Sequence, residues 1–235
     1  MKYAILLHGH VRTFIKTYNS LKLIKINKND TIDFFIHTWD TIDRLTPSFY
    51  KVNNKTKNIK TPIDLLIKIY KPKGIKIDKQ VIKNPNKTCP RNKISYEGHK
   101  YYFYSFYIAN ELKKQFEKKH NFKYDMCIKL RPDVIFKNII NLKLFKNNYI
   151  YLFGNPKKQD FNINNINHFQ AVNVITLSNS TYMDKIANFY KKIDYYIYNQ
   201  KNPRHTDYID YIMDLKIEYK MCNYIYKKDW GFIRL

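Results

Sequence analysis

Short apolar runs that stop at polar turns, each followed by a stretch of helical character, recur along this chain and limit the folds open to it. Lys2-Tyr-Ala-Ile-Leu-Leu7 runs into the turn His8-Gly-His-Val-Arg-Thr13, and the spacing of Phe14, Tyr18 and Leu21 then predicts a helix from Phe14 to Ile26. An uninterrupted apolar run of this length suits a strand buried on both faces. Thr31–His37 reads as a second strand, followed by Thr38-Trp-Asp40. Thr61 as N-cap and Pro62 at the first helical position open a helix over Ile63–Tyr70, and Gly74–Ile77 is a short strand. Ser95–His120 is mostly helix, with Glu111, Lys114, Glu117 and Lys118 on a wet face. Asp125–Leu130 is a strand closed by Arg131-Pro-Asp133; Tyr149–Phe153 and Ala171–Leu177 are further strands. Asn179 or Ser180 caps a helix to Ile193, His205–Leu215 is another, and Glu218–Tyr226 and Phe232–Leu235 are extended. Strands alternating with helices predict an α/β chain with a mostly parallel central sheet flanked by helices. At 235 residues this is one domain, 1–235, with polar Asn/Lys-rich surface insertions near 43–60 and 78–98.

Glycine excludes several chemistries. There are five, and the closest pair, Gly74 and Gly98, lies 24 residues apart. A P-loop, a GxGxxG dinucleotide turn and a GxSxG elbow need clustered glycines, so none is present. The three cysteines, Cys89, Cys127 and Cys222, form no CxxC and read as buried, reduced thiols of a cytoplasmic protein. Tyr3–Leu7 is too short for a signal peptide or a spanning helix, which places the chain at most on the periphery of a membrane. Aromatic residues at 17% argue against bulk disorder.

The formal charge is +24, and Lys51–Lys93 holds 13 basic residues against two acids. Lysine is abundant beside Asn, Ile and Tyr, the pattern of an AT-rich coding sequence, so charge counts as a sign of partners only after that discount. The alternatives are a solvated lysine surface and a patch that attracts an anionic membrane surface or an acidic polysaccharide. Nucleic acid is disfavoured because no RRM, KH, zinc-finger or helix-turn-helix signature occurs.

Three polar clusters end predicted strands: His8-Gly9-His10-Val-Arg12, His37-Thr-Trp39-Asp40 and Arg131-Pro-Asp133. Ligands of open α/β sheets bind at the carboxyl ends of the strands. Arg12 offers a guanidinium fork for phosphate, and the tip of its helix offers N–H groups. Trp39 offers a stacking face, Asp40 an acceptor for hydroxyls or a base edge, and Asp133 a ligand for a hard divalent cation. Gly9, His10, Arg12, His37, Trp39, Asp40 and Arg131 are therefore expected to bind a nucleotide donor, with Asp133 holding metal.

Lys2–Phe14, Asp33–Asp40 and Tyr124–Asp133 resemble the opening strand, second strand and Arg-x-Asp block of a group of glycosyltransferases of bacterial surface-polysaccharide loci and large DNA viruses. Asn179–Tyr190 and His205–Ile217 resemble two of their later helices more loosely. The resemblance implies a GT-A-like, Rossmann-like fold, a nucleotide-sugar donor, a glycan acceptor and a divalent cation, Mn²⁺ or Mg²⁺, on an Asp-x-Asp-type motif. Here that motif is Arg131-Pro-Asp133, with one carboxylate, and Arg131 is an alternative neutraliser of the diphosphate. A family Asp-x-Phe-Ala stretch is replaced by Asn167-His-Phe-Gln-Ala171, which lacks the acid.

Inverting transfer needs a carboxylate base. Asp207, heading a helix after Pro203-Arg-His205 where the resemblance also places an acid, and Asp160, in a loop after a strand, are the candidates; Asp184 and Asp194 read as solvated helix residues. The competing readings are a degenerate transferase subunit, a non-catalytic binder of polyanion or nucleic acid, and a metal-dependent hydrolase built on His8-x-His10.

Overall fold

The computed structural model describes residues 1–43, 56, 58–84, 86–90, 95–153, 174–199, 206–222 and 228–233. The elements are β1 (Lys2–His8), α1 (Phe14–Tyr18), β2 (Ile24–Lys25), β3 (Thr31–Trp39), α2 (Ile63–Tyr70), β4 (Gly74–Asp78), α3 (Tyr96–His120), β5 (Met126–Leu130), β6 (Val134–Phe136), β7 (Ile140–Asn141), β8 (Ile150–Phe153), β9 (Thr176–Ser178), α4 (Ser180–Ala187), α5 (Phe189–Tyr198), α6 (Asp207–Asp214), β10 (Tyr219–Cys222) and β11 (Trp230–Phe232). Seven strands form the central sheet in the order β10-β8-β9-β5-β1-β3-β4. Six run parallel and β9 alone runs against its neighbours β5 and β8. The chain is thus α/β with a mostly parallel sheet, as its alternating pattern predicts.

The unbroken apolar run of β1 has a direct structural reason. Ala4 and Leu6 pack into the core beneath α3 and α4, while Tyr3, Ile5 and Leu7 pack into the core on the other face. β4 approaches α3 closely enough that a Cβ on Gly74 would lie 3.2 Å from Leu112 Cβ and 3.3 Å from Phe35. Helix starts are set by caps: Ser95 Oγ accepts from Gly98 N–H, Asn179 Oδ1 from Tyr182 N–H, and Thr206 Oγ from Ile209 N–H.

Several expectations need correction. The helix expected from Phe14 to Ile26 is one α turn followed by a 3₁₀ segment over Asn19–Leu23, then β2. Thr17 Oγ donates to Pro132 O at 2.5 Å, and Ser20 Oγ accepts from Phe136 N–H at 3.0 Å; these tertiary bonds compete with a regular helix. The helix expected to Ile193 breaks at Asn188 into α4 and α5. Pro62 takes the N-cap position of α2, and Thr61 Oγ instead donates to Trp39 O at 2.6 Å. Glu117 does not face solvent: it is 1% exposed and accepts from Tyr124 N–H, Ser180 Oγ and Lys123 Nζ. Asp184 joins the same network through buried Lys113 at 2.8 Å. Within the two stretches read as insertions, Asp43, Gln80 and Cys89 are buried. No helix among the described residues is long and apolar enough to cross a membrane.

Candidate functional site

The winding of the sheet selects one place. β1 is followed by β3 and β4 on one side, then the chain returns to lay β5 on the other side of β1. The strand order thus reverses between β1 and β5, the usual ligand position in open α/β sheets, and here the loops that follow these two strands are tied together by Thr17 Oγ to Pro132 O and by Arg12 to Asp133. Gly9 begins the first of these loops with φ +97°, a conformation costly for any residue with a Cβ. Its N–H donates to Ser105 Oγ at 2.7 Å and to His37 O at 3.2 Å.

The arginines meet a single carboxylate. Arg131 Nε donates to Asp133 Oδ1 at 2.9 Å, and its Nη2 to Oδ2. Arg12 Nη1 reaches Asp133 Oδ2 at 3.2 Å, while its Nε donates to Asp43 Oδ1 at 2.7 Å. Asp133 has no solvent exposure; the Arg12 and Arg131 side chains retain 10% and 19%. Asp133 therefore neutralises two guanidiniums. That arrangement does not fit a divalent cation, which would need the oxygens the arginines occupy. Among the described residues no group of three His, Cys, Asp or Glu could hold a metal ion. The five-residue α1 also contributes no anion site at its tip: Arg12 N–H donates to Ile42 O and Phe14 N–H to Val11 O.

A second group lies under α3. By strand alternation His8, His37, Trp39 and Lys129 point to the same face as Ala4, Leu6, Phe35 and Cys127. Trp39 belongs to β3 rather than to the loop after it. It is 2% exposed, with Tyr101 at 5.1 Å, Tyr104 at 5.9 Å and His37 at 5.1 Å between ring centroids, so it has no open face for a base. His37 is wholly buried between Ser105 Oγ, 2.7 Å from Nδ1, and Asp78 Oδ2, 3.1 Å from Nε2. Burial lowers its pKa to about 4 despite the pull of Asp78. Asp78 is itself held low: burial pushes it up, but hydrogen bonds from His37, Tyr104 and Lys76 outweigh that. An ionised Asp78 requires the proton on Nε2, which leaves Nδ1 to accept from Ser105. His37 is thus a structural tie between β3, β4 and α3, not a donor-binding group.

His8 packs edge-on to Tyr102 at 4.8 Å; burial, then Lys129, Arg131 and His37, hold its pKa well below the usual histidine range. Lys129 Nζ sits 4.6–5.2 Å from the rings of Tyr208, Tyr102, Phe106 and Phe103. Burial and then Arg131 hold its ammonium well below the ordinary lysine value. His10 is engaged elsewhere, its Nδ1 3.2 Å from Thr41 O and its ring 6.2 Å from that of Trp39, while His8 packs on Tyr102 and Phe106. Asp40 remains partly open and pairs with Lys60 at 3.0 Å.

Asp207 stands on the same edge. It opens α6, which precedes a strand parallel to β5, as α3 does, so the N-termini of both helices lie at the carboxyl end of the sheet. Asp207 Oδ2 is 2.5 Å from His99 Nε2, and the two side chains are 13% and 9% exposed. His99 contacts Phe103, and Phe103 contacts Tyr208, so this pair shares its floor with Lys129 and Tyr102. Asp160 and the segment Asn167–Ala171 lie outside the described residues.

The residues missed from sequence are Asp43, His99, Ser105 and Lys129. Ser105 interrupts an aromatic run, and Lys129 sits two residues before Arg131 inside an apolar strand; both irregularities were visible signals. The cysteines are all buried, which pushes the thiols of Cys89 and Cys127 up to about 11 and about 12 and leaves them poor nucleophiles. No protein-family model matches the chain. A search of curated proteins finds no significant match.

Proposed function

We propose that the protein is a nucleotide-sugar-dependent glycosyltransferase with a GT-A-like fold, working at the carboxyl edge of the sheet where the loops after β1 and β5 meet. The observation that carries this reading is the convergence of Arg12 and Arg131 on one buried carboxylate at the carboxyl edge of the sheet, with Asp207 on the same edge. A donor diphosphate competes with Asp133 and Asp43 for the guanidinium N–H groups, in the geometry arginine favours for phosphate. The acceptor hydroxyl oxygen then bonds to the anomeric carbon as the bond from that carbon to the diphosphate oxygen breaks. The hydroxyl proton passes to Asp207, and the charge arriving on the diphosphate is met by the two guanidiniums. His99 orients the Asp207 carboxylate. In this reading the protein acts in the cytoplasm on a glycan acceptor, and its lysine-rich surface holds it near an anionic membrane or an acidic polysaccharide.

One observation favours a second reading, a degenerate subunit that binds without catalysis: both guanidiniums already have carboxylate partners. Calorimetric titration with UDP, GDP, ADP and CDP, followed by the matching nucleotide sugars, tests the proposal. Arg131→Ala is expected to weaken nucleoside diphosphate binding about ten- to hundredfold, the scale of one charge-assisted contact. The absence of binding by any of these at millimolar concentration refutes both readings; binding without sugar transfer leaves the second.

A further inference from the structure

α3 and α5 lie side by side and form an aromatic seam that the donor site does not use. Pairs across it run antiparallel: Tyr96 meets Tyr198 at 6.3 Å, Lys100 meets Asp194 at 2.9 Å, and Tyr190 packs between Tyr104 at 5.3 Å and Tyr107 at 5.6 Å. From Tyr96 to Tyr107 the seam spans about 16 Å of helix. Tyr198 on the seam and Tyr195 on the outward face of α5 beside it are open, at 51% and 54% exposure. The Tyr96 end is one turn from His99, and so leads to Asp207.

Cations are fixed into this surface. Lys87 Nζ lies 4.0 Å from the Tyr96 ring centroid and 5.8 Å from that of Tyr198; Lys191 Nζ lies 5.1 Å from that of Tyr107. Asp194 on the seam is taken up by Tyr96 Oη and Lys100, and Asp78 accepts from Tyr104 Oη. The seam therefore offers a run of flat rings with hydroxyl tips, interleaved with lysines. We infer that it is the track for the acceptor, and that the acceptor is an acidic polysaccharide. Sugar rings match such a wall with one face of C–H groups and a rim of hydroxyls, and tyrosine supplies rigid amphipathic contact at low entropic cost. The lysines match carboxylates on the glycan. Nucleic acid fits less well, because the cations on the described seam are lysines, without the guanidinium fork that suits phosphate. A lipid surface fits less well, because the tyrosine hydroxyls are held in polar contacts, Tyr96 to Asp194 and Tyr104 to Asp78.

The inference rests on the transferase reading for its purpose, but its test is a binding test. The full chain is titrated against immobilised polygalacturonate, with dextran, single-stranded DNA and phosphatidylserine vesicles as competitors at matched ionic strength. Wild type is expected to prefer polygalacturonate, with affinity falling as salt rises. Y195A/Y198A, at two exposed positions, is expected to lose about tenfold or more in affinity, with its melting transition and nucleoside diphosphate binding unchanged. K100Q/K191Q is expected to flatten the salt dependence. Failure of wild type to bind polygalacturonate, equal binding to dextran, tighter binding to DNA or vesicles, or full binding by Y195A/Y198A overturns the inference. Loss of nucleoside diphosphate binding in wild type defeats the transferase reading separately.

Discussion

Asp133→Asn removes a charge while keeping the shape of the side chain. In the native protein this carboxylate has no exposure and receives Arg131 Nε at 2.9 Å, Arg131 Nη2, and Arg12 Nη1 at 3.2 Å. The amide can accept from one guanidinium but turns its NH₂ donors toward the other. Removing one partner of a buried ion pair costs about 3–5 kcal/mol. Two features place the cost at the lower end: Arg12 keeps Asp43 at 2.7 Å, and Arg131 is 19% exposed to water. The expected loss is therefore about 3 kcal/mol, or roughly 6–12 °C in melting temperature for a chain of this size. Urea unfolding followed by circular dichroism and tryptophan fluorescence measures it. A cycle combining Asp133→Asn with Arg131→Met should show a coupling of about 1–3 kcal/mol. A loss under about 0.5 kcal/mol would refute the view of Asp133 as neutraliser of two arginines. A Mn²⁺-dependent rise in melting temperature that the variant abolishes would return it to the role of metal ligand.

Gly9→Ala meets no steric neighbour but must adopt φ +97°, so it should cost about 1–3 kcal/mol in thermal unfolding, and no loss would mean the turn readily relaxes. His37 has an ordinary pKa of 6.5 and a folded value of about 4. Between these values the unfolded chain binds the proton and the folded chain does not, so stability falls as pH drops from 6.5 toward 4, by on the order of 3 kcal/mol from this residue. Buried His8 shifts in the same direction and adds to the slope. His37→Gln should flatten the pH dependence over that range, and an unchanged slope would remove His37 as its source. Asp207→Asn should lower glycosyl transfer by roughly a hundredfold or more while leaving nucleoside diphosphate binding intact; near-normal turnover, or a product of retained anomeric configuration, rules Asp207 out as the base.

The sheet was legible because β1 and β5 carry apolar residues on both faces, a pattern that only a central strand requires. The site was legible in place but not in detail. Arg12, Arg131 and Asp133 read as residues reaching out of loops, and their mutual pairing depends on Asp43, at the border of a polar stretch with no local pattern. Trp39 reads as a loop residue and His37 as the last residue of its strand, because a strand end is judged from apolarity, and polar residues inside β3 conceal that it continues. Their burial comes from Tyr101, Tyr104 and Ser105, some 60 or more residues away in sequence. Helical periodicity likewise cannot reveal that Glu117 faces Lys113 and Ser180 rather than water.

The reversed strand β9 has a consequence for how the chain is made. β5 finds β1 as soon as residue 130 is available, but its other neighbour arrives only with Thr176–Ser178. At roughly 5–20 residues per second of synthesis, the nascent sheet presents β5 as a bare apolar edge for on the order of several seconds. An edge of that kind invites pairing with another chain. Lys129, pointing inward one residue before the end of this strand, supplies a charge that opposes such pairing until β9 and Tyr208 of α6 close over it. A residue that looks misplaced in the finished core would thus guard the strand while the sheet is incomplete.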